Sequence, residues 1–234
     1  MPFDTTAVLV HGGWEDGSVW RKVISPLEAA GIRTVAAPLP LTSLPDDVAA
    51  LDHTLEHVAG PVILVGHAYA GAVIGSTRSA NVEALVYVAA LAPDEGETVG
   101  DAFNRGKHHP NAPSLTPDAN GLMWLPDDAF ASAFAPSATV AERTLLRAVQ
   151  RPISVSCITV PVGRPLWKDR PAWYLVAEDD RVIPPENQHF MAERMGATVH
   201  AHPVDHLPLL TAPDLVAGIV LDAAKNAKPD GLQL

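Results

Sequence analysis

The sequence predicts an α/β protein: a mostly parallel sheet flanked by helices on both faces, interrupted by one long, mainly helical insertion. Short β-branched apolar runs alternate with longer segments of helical period. The strand runs are nearly all apolar, as expected for strands buried on both faces. Between about residues 93 and 169 this rhythm breaks into a proline-rich stretch with scattered bulky apolar residues.

Ala7 to Val10 reads as the first clear strand, followed by a helix from Trp20 to Ala30 that Gly31 closes. Arg33 to Ala37 is the next strand, then come a proline-rich turn and a helically spaced segment from Asp46 to Val58. Val62 to Val65 is a short buried strand, Gly71 to Ser79 a helix, and Ala84 to Ala89 another strand. After the insertion the alternation resumes with strand Trp173 to Ala177, helix Pro185 to Gly196, strand Thr198 to Ala201 and helix Pro213 to Ala224. The tail after Lys225 is polar and reads as frayed. These boundaries divide the chain into a core of residues 1–92 and 170–234 and a cap of residues 93–169.

With 47% apolar and 18% charged residues, the 234-residue chain has the balance of a folded soluble protein. Its start lacks the basic, then apolar, character of a signal peptide, and no apolar run reaches membrane-spanning length. A cytoplasmic location with no membrane partner is expected. A net charge of -11, without a Lys/Arg stripe, disfavours nucleic acid. The single cysteine, Cys157, cannot form an internal disulfide and reads as a small buried hydrophobe. His200 and His202 alternate on a strand without a third ligand, so no metal is expected. No phosphate loop or dinucleotide fingerprint is present, and no cofactor is expected.

The chemistry concentrates in Val62-Ile63-Leu64-Val65-Gly66-His67-Ala68-Tyr69-Ala70-Gly71, where a buried strand runs through small residues straight into a helix. Such a stretch is either an ordinary strand-to-helix turn or a nucleophile elbow, whose central side chain stands on a strained turn above the sheet. Backbone N–H groups at the helix start would face developing negative charge there. Three further segments favour the elbow. Val10-His11-Gly12-Gly13-Trp14 follows the first strand and matches the loop that supplies a second oxyanion N–H, so Gly13 and Tyr69 are the candidate oxyanion hole. His11 reads as a structural residue of that loop. Glu178-Asp179-Asp180 places carboxylates at the C-terminal edge of a strand, where open α/β sheets bind ligands. His206 then stands alone in the loop before the last helix, completing the chain order nucleophile, acid, histidine.

With these residues in hand, the chain resembles the cap-bearing bacterial α/β-hydrolases related to plant esterases and hydroxynitrile lyases. The resemblance spans nearly the whole chain. It includes His11-Gly12-Gly13-Trp14 with Gly17-Ser18-Val19-Trp20, Pro40-Leu41-Thr42-Ser43-Leu44, the elbow, Val86-Tyr87-Val88-Ala89-Ala90, Asp180-Arg181-Val182-Ile183-Pro184 and His206-Leu207-Pro208-Leu209-Leu210. It implies Asp180, rather than Glu178 or Asp179, as the acid that orients His206. It also implies a serine at position 68, since the family elbow reads Gly-His-Ser-Tyr-Gly-Gly. This chain departs at Ala68 and more mildly at Ala70.

Alanine has no oxygen to attack with, and loss of a nucleophilic serine lowers turnover by about a million-fold. Two accounts of Ala68 compete. In one, alanine replaces the serine of an active ester or lactone hydrolase, so that substrate is held and hardly turned over. The retained hole, acid, histidine and cap favour this account, because only a serine would use them together. In the other, alanine is native and the His206-Asp180 pair serves as a general base, as in a lyase or isomerase. A receptor-like pocket without chemistry is a third outcome.

The expected partner is a small-molecule ester or lactone, and a homodimer stays open. Trp14 and the cap residues Trp124, Leu125, Phe130, Phe134 and Trp167 are candidates to line an apolar pocket over position 68, although a role as the cap's own core competes for the latter group. His108 and His109 form a loop pair within reach of a substrate, with a solvated loop as the competing reading.

Overall fold

In the computed structural model, which describes residues 5–227, the sheet is built of short strands that are buried at its centre and partly exposed at its two edges. Strand β1 (Thr6–Val10) leads through a 3-10 turn (Gly17–Trp20) into helix α1 (Arg21–Ala29). Gly31, at φ 87°, ends this helix by taking the left-handed conformation that glycine adopts without steric cost. Strand β2 (Arg33–Ala37) and helix α2 (Leu44–Glu56) follow. Helix α2 starts two residues earlier than its apolar spacing suggests, because the Ser43 hydroxyl caps the Asp46 N–H and Pro45 sits in the first turn.

Strand β3 (Val62–His67) passes through a two-residue turn into α3 (Ala70–Ser76), and β4 (Val82–Val88) follows. After the inserted segment come β7 (Ala172–Ala177), α6 (Pro185–Arg194), β8 (Thr198–His202), a one-turn helix α7 (Pro208–Thr211) and α8 (Pro213–Asn226). The insertion itself holds α4 (Val99–Phe103), β5 (Leu122–Met123), a π turn (Phe130–Phe134), α5 (Val140–Val149) and β6 (Ile153–Ser154). It is less helical than expected: β5 and β6 form an antiparallel pair, Met123 opposite Ile153, too short to leave a periodic signal.

The main sheet has six strands in the order β2-β1-β3-β4-β7-β8, and every pairing is parallel. The chain moves one way from β1 to β2 and the other way from β3 onward. Right-handed crossovers then place α1 on one face of the sheet and α2 and α3 on the other, and α8 returns to pack on α1. The reversal leaves a crevice beyond the C-terminal ends of β1 and β3, the place where open α/β sheets bind ligands. No helix among the described residues is long and apolar enough to cross a membrane.

The inserted segment is sutured to the core. Trp14 donates its indole N–H to Met123 O at 2.9 Å, Ser137 N–H reaches the Asp205 carboxylate at 2.9 Å, and Lys22 pairs with Glu142 at 2.7 Å. Residues 228–234 of the polar tail lie outside the described residues.

Candidate active site

Four loops at the C-terminal edge of the sheet meet at one cavity of about 410 Å3, a volume suited to a small organic ligand. Gly13 and Trp14 enter after β1, Ala68 and Tyr69 after β3, Val182 and Ile183 after β7, and His206 after β8. Most of the remaining wall comes from the inserted segment, including Val99, Phe103, Leu115 and Ile158. Among the described residues, no Asp, Glu, Lys or Arg lines it.

Ala68 sits at φ 49°, in the left-handed region that an alanine enters only at a cost of about 1 kcal/mol or more. Neighbouring bonds hold it there: its N–H donates to Val88 O at 3.2 Å, and its carbonyl accepts from Leu91 N–H at 2.9 Å and Gly71 N–H at 3.1 Å. Glycine is required at position 71, where a β-carbon would collide with the Leu91 carbonyl and the Ala90 methyl. The backbone N–H groups of Gly13 and Tyr69 make no hydrogen bond to other described residues. The Tyr69 hydroxyl turns away from the cavity chemistry and donates to Asp47 Oδ2 at 2.6 Å. Burial raises the pKa of both groups.

His206 is 1% exposed and its Nδ1 lies 2.8 Å from Asp180 Oδ2. Its Nε2 is buried without a hydrogen-bond partner among the described residues. Asp180 is fixed from every side: Oδ1 accepts from the N–H groups of Val182 (2.7 Å) and Ile183 (2.9 Å), and Oδ2 also accepts from Gln188 Nε2 at 2.8 Å. These donors fix the position of the carboxylate. Glu178 pairs with His189 on the surface instead, and Asp179 is exposed. Asp205 shapes the loop beside His206, accepting from Leu207 N–H at 3.1 Å and the Thr211 hydroxyl at 2.8 Å.

His11 is structural. Its Nε2 accepts the Leu39 N–H at 3.1 Å, its Nδ1 therefore donates to Gly12 O at 2.8 Å, and burial lowers its pKa. His108 and His109 both line the cavity, and His108 packs on Phe103 with ring centroids 4.7 Å apart.

Of the aromatic residues expected over position 68, only Trp14 lines the cavity, and the placement of the others is a correction. Trp124 is 49% exposed because the alternation around β5 turns Met123 inward and its neighbour outward. Leu125, Phe130 and Phe134 are buried in the inserted segment rather than at the cavity surface. Phe134 packs edge-on against Trp14 (6.1 Å) and at a tilt against the His206 ring (5.4 Å), backing the wall. Trp167 lies against α3 beside Gly75, with the Arg194 guanidinium 5.9 Å from its ring centre.

Two buried residues were given no role by the sequence motifs. Glu15 accepts the Gly12 N–H at 2.8 Å and lies 3.1 Å from His67 Nδ1, and His67 Nε2 donates to the His206 carbonyl at 2.7 Å. Burial opposes both charges, but each supports the other: His67 is pushed above its ordinary pKa and Glu15 below its own. His67 stands inside the elbow stretch itself, but only the fold shows that Glu15 is its partner.

A sheet with one reversal, an elbow at its centre and an acid–histidine pair on the last two loops defines a class of enzyme scaffold, and comparison with known proteins names it. The sequence profile of the alpha/beta hydrolase family matches residues 7–219, and the chain belongs to that family. Among curated relatives, a probable hydrolase from Phoma sp. is 26% identical, covering 93% of this chain and 97% of its own length. Polyneuridine aldehyde esterase from Rauvolfia serpentina is 23% identical, covering 94% and 95%. A pyrethroid hydrolase structure from Sphingobium faniae superposes with a TM-score of 0.80 at 22% identity, covering 95% of this chain and 98% of that one.

Proposed function

We propose that this chain is a carboxylic ester or lactone hydrolase of the serine type in a form that lacks its nucleophile, able to bind substrate and hardly able to turn it over. The observation that carries the reading is His206: Asp180 holds one ring nitrogen, while the other is buried, unpartnered and at the cavity that Ala68 lines. A hydroxyl at position 68 would supply the missing partner. The esterase and hydrolase names of the relatives agree with this chemistry.

In the complete site, His206 Nε2 takes the proton of that hydroxyl as its oxygen attacks the substrate carbonyl carbon. The carbonyl π electrons move to oxygen, and the N–H groups of Gly13 and Tyr69 receive the oxyanion. The C–O bond then breaks, the departing alcohol takes the proton from His206, and water releases the acyl group by the same steps in reverse roles. Asp180 keeps Nδ1 protonated and stabilises the imidazolium. With alanine at position 68 the first bond cannot form. The uncharged, largely apolar wall favours a neutral ester or lactone over an anionic one.

The same methyl favours a second reading. With no hydroxyl interposed, Nε2 meets the ligand directly and can act as a general base on an acidic C–H or O–H, as in a lyase or isomerase.

Hydrolysis of a neutral p-nitrophenyl ester by the chain and by its Ala68→Ser form separates the readings. The hydrolase reading expects turnover only after Ala68→Ser, and a folded Ala68→Ser protein with no gain contradicts it. The general-base reading expects the unsubstituted chain to be active and His206→Ala to abolish that activity. A receptor would bind ligand equally well after His206→Ala and convert nothing.

A further inference from the structure

Two fully buried titratable side chains near the cavity belong to no part of the reaction above. Glu15 and His67 have fully buried side chains. Both ring nitrogens of His67 face acceptors, the Glu15 carboxylate at 3.1 Å and the His206 carbonyl at 2.7 Å. A carbonyl oxygen accepts and never donates, so Nε2 carries a proton. The carboxylate accepts a second proton on Nδ1, and Asp180, beyond His206, adds a further attraction for the cation. His11, the other titratable side chain near Glu15, is neutral by its own hydrogen bonds.

A buried ion pair adds little net stability, since desolvation offsets most of the attraction. What this one supplies is direction. Glu15 Oε2 holds the N–H of Gly12, the residue before the candidate oxyanion donor Gly13. His67 is the residue before Ala68. Its Nε2–H holds the backbone of His206, 139 residues away in sequence. One pair of side chains therefore touches the oxyanion loop, the elbow and the histidine loop at once. The His67 and His206 rings lie 4.9 Å apart, so a shift of one is felt by the other.

We propose that Glu15 and His67 are positioning residues of the active site, a buried ion pair that sets the three loops in mutual register. The inference rests on the hydrolase reading for its kinetic consequence and on the geometry alone for its structural one. A displacement of about 1 Å in such a constellation costs on the order of a hundredfold in rate.

The test has two arms. In the unsubstituted protein, 15N NMR of the imidazoles at pH 6.5 is expected to show His67 predominantly carrying both ring protons, since its pKa lies above the ordinary value. Glu15→Gln, which keeps the shape and the acceptor for Gly12, is expected to remove one and to shift and broaden the Nδ1–H signal of His206. In the Ala68→Ser form, Glu15→Gln is expected to lower kcat by about 10- to 100-fold with KM changed by less than about threefold. His67→Asn is expected to do the same, and the double variant to cost no more than His67→Asn alone, because the residues act as one unit. A folded Glu15→Gln protein with unchanged His206 signal and unchanged kcat overturns the proposal. So does a His67 ring with a single proton in the unsubstituted protein, a result that stands even if Glu15→Gln fails to fold. If Ala68→Ser hydrolyses no ester, the hydrolase reading fails by itself, and the NMR arm still decides the positioning role.

Discussion

Asp180 holds His206 by one nitrogen at 2.8 Å, and the other nitrogen is buried with no hydrogen-bond partner among the described residues. Asp180 in turn accepts two backbone N–H groups and the Gln188 amide, which fixes the carboxylate and hence the orientation of the ring.

Asp180→Asn in the Ala68→Ser background is therefore expected to preserve the fold and lower kcat by about 10,000-fold, through loss of the correct imidazole tautomer. Steady-state kinetics with a melting curve checks both halves. A loss below about tenfold would show that Asp180 does not orient the histidine.

The Glu15–His67 pair makes stability depend on pH in a defined window. The lowered pKa of Glu15 gives stability that is present above its ordinary value of 4.5 and is lost as pH falls through the folded value. The raised pKa of His67 gives stability that is present below its ordinary value of 6.5 and is lost as pH rises through the folded value. The difference in unfolding free energy between the protein and Glu15→Gln is expected to peak between 4.5 and 6.5 and to shrink on both sides. Urea unfolding across pH 3 to 9 measures it.

Two glycines at the site should respond differently to the same methyl. Gly71→Ala drives a β-carbon into backbone at Leu91 and is expected to destabilise the fold by about 1–3 kcal/mol. Gly13→Ala meets the flexible end of Ile153 at 3.3 Å and is expected to fold. Its methyl would stand in the cavity beside the candidate oxyanion donor, so in the Ala68→Ser background it is expected to lower kcat about tenfold or more. Thermal melts and kinetics separate the two effects.

Cys157 is fully buried, and burial together with the Asp47 carboxylate raises its thiol to about 12. Ellman's reagent is expected to find no reactive thiol in the native protein and one per chain in denaturant. Rapid labelling of the native protein would contradict this.

The centre of the sheet was legible in the sequence because its inner strands, buried on both faces, leave nearly unbroken apolar runs. The helix ends were legible where Gly31 supplies a left-handed cap. The early start of α2 was missed because Ser43 caps through a hydrogen bond that apolar spacing does not record. His206 and a loop of three carboxylates were legible from their places after the last two strands, the resemblance singled out Asp180 among the three, and the fold brings Asp180 and His206 into contact. The cavity wall was read less well: aromatic content singled out Trp124 and Trp167, but in an irregular segment size does not say which way a side chain points. Glu15 and His67 went unseen because their contact joins loops 52 residues apart.

The central claim is that position 68, His206 and the two N–H groups form one nucleophilic site. Labelling the Ala68→Ser form with a neutral fluorophosphonate, located by peptide mass spectrometry, tests it most directly. One adduct per chain at residue 68, lost when His206→Ala is added and absent from the unsubstituted protein, is the predicted result. A folded Ala68→Ser protein that takes no label, or takes it elsewhere, would contradict the account.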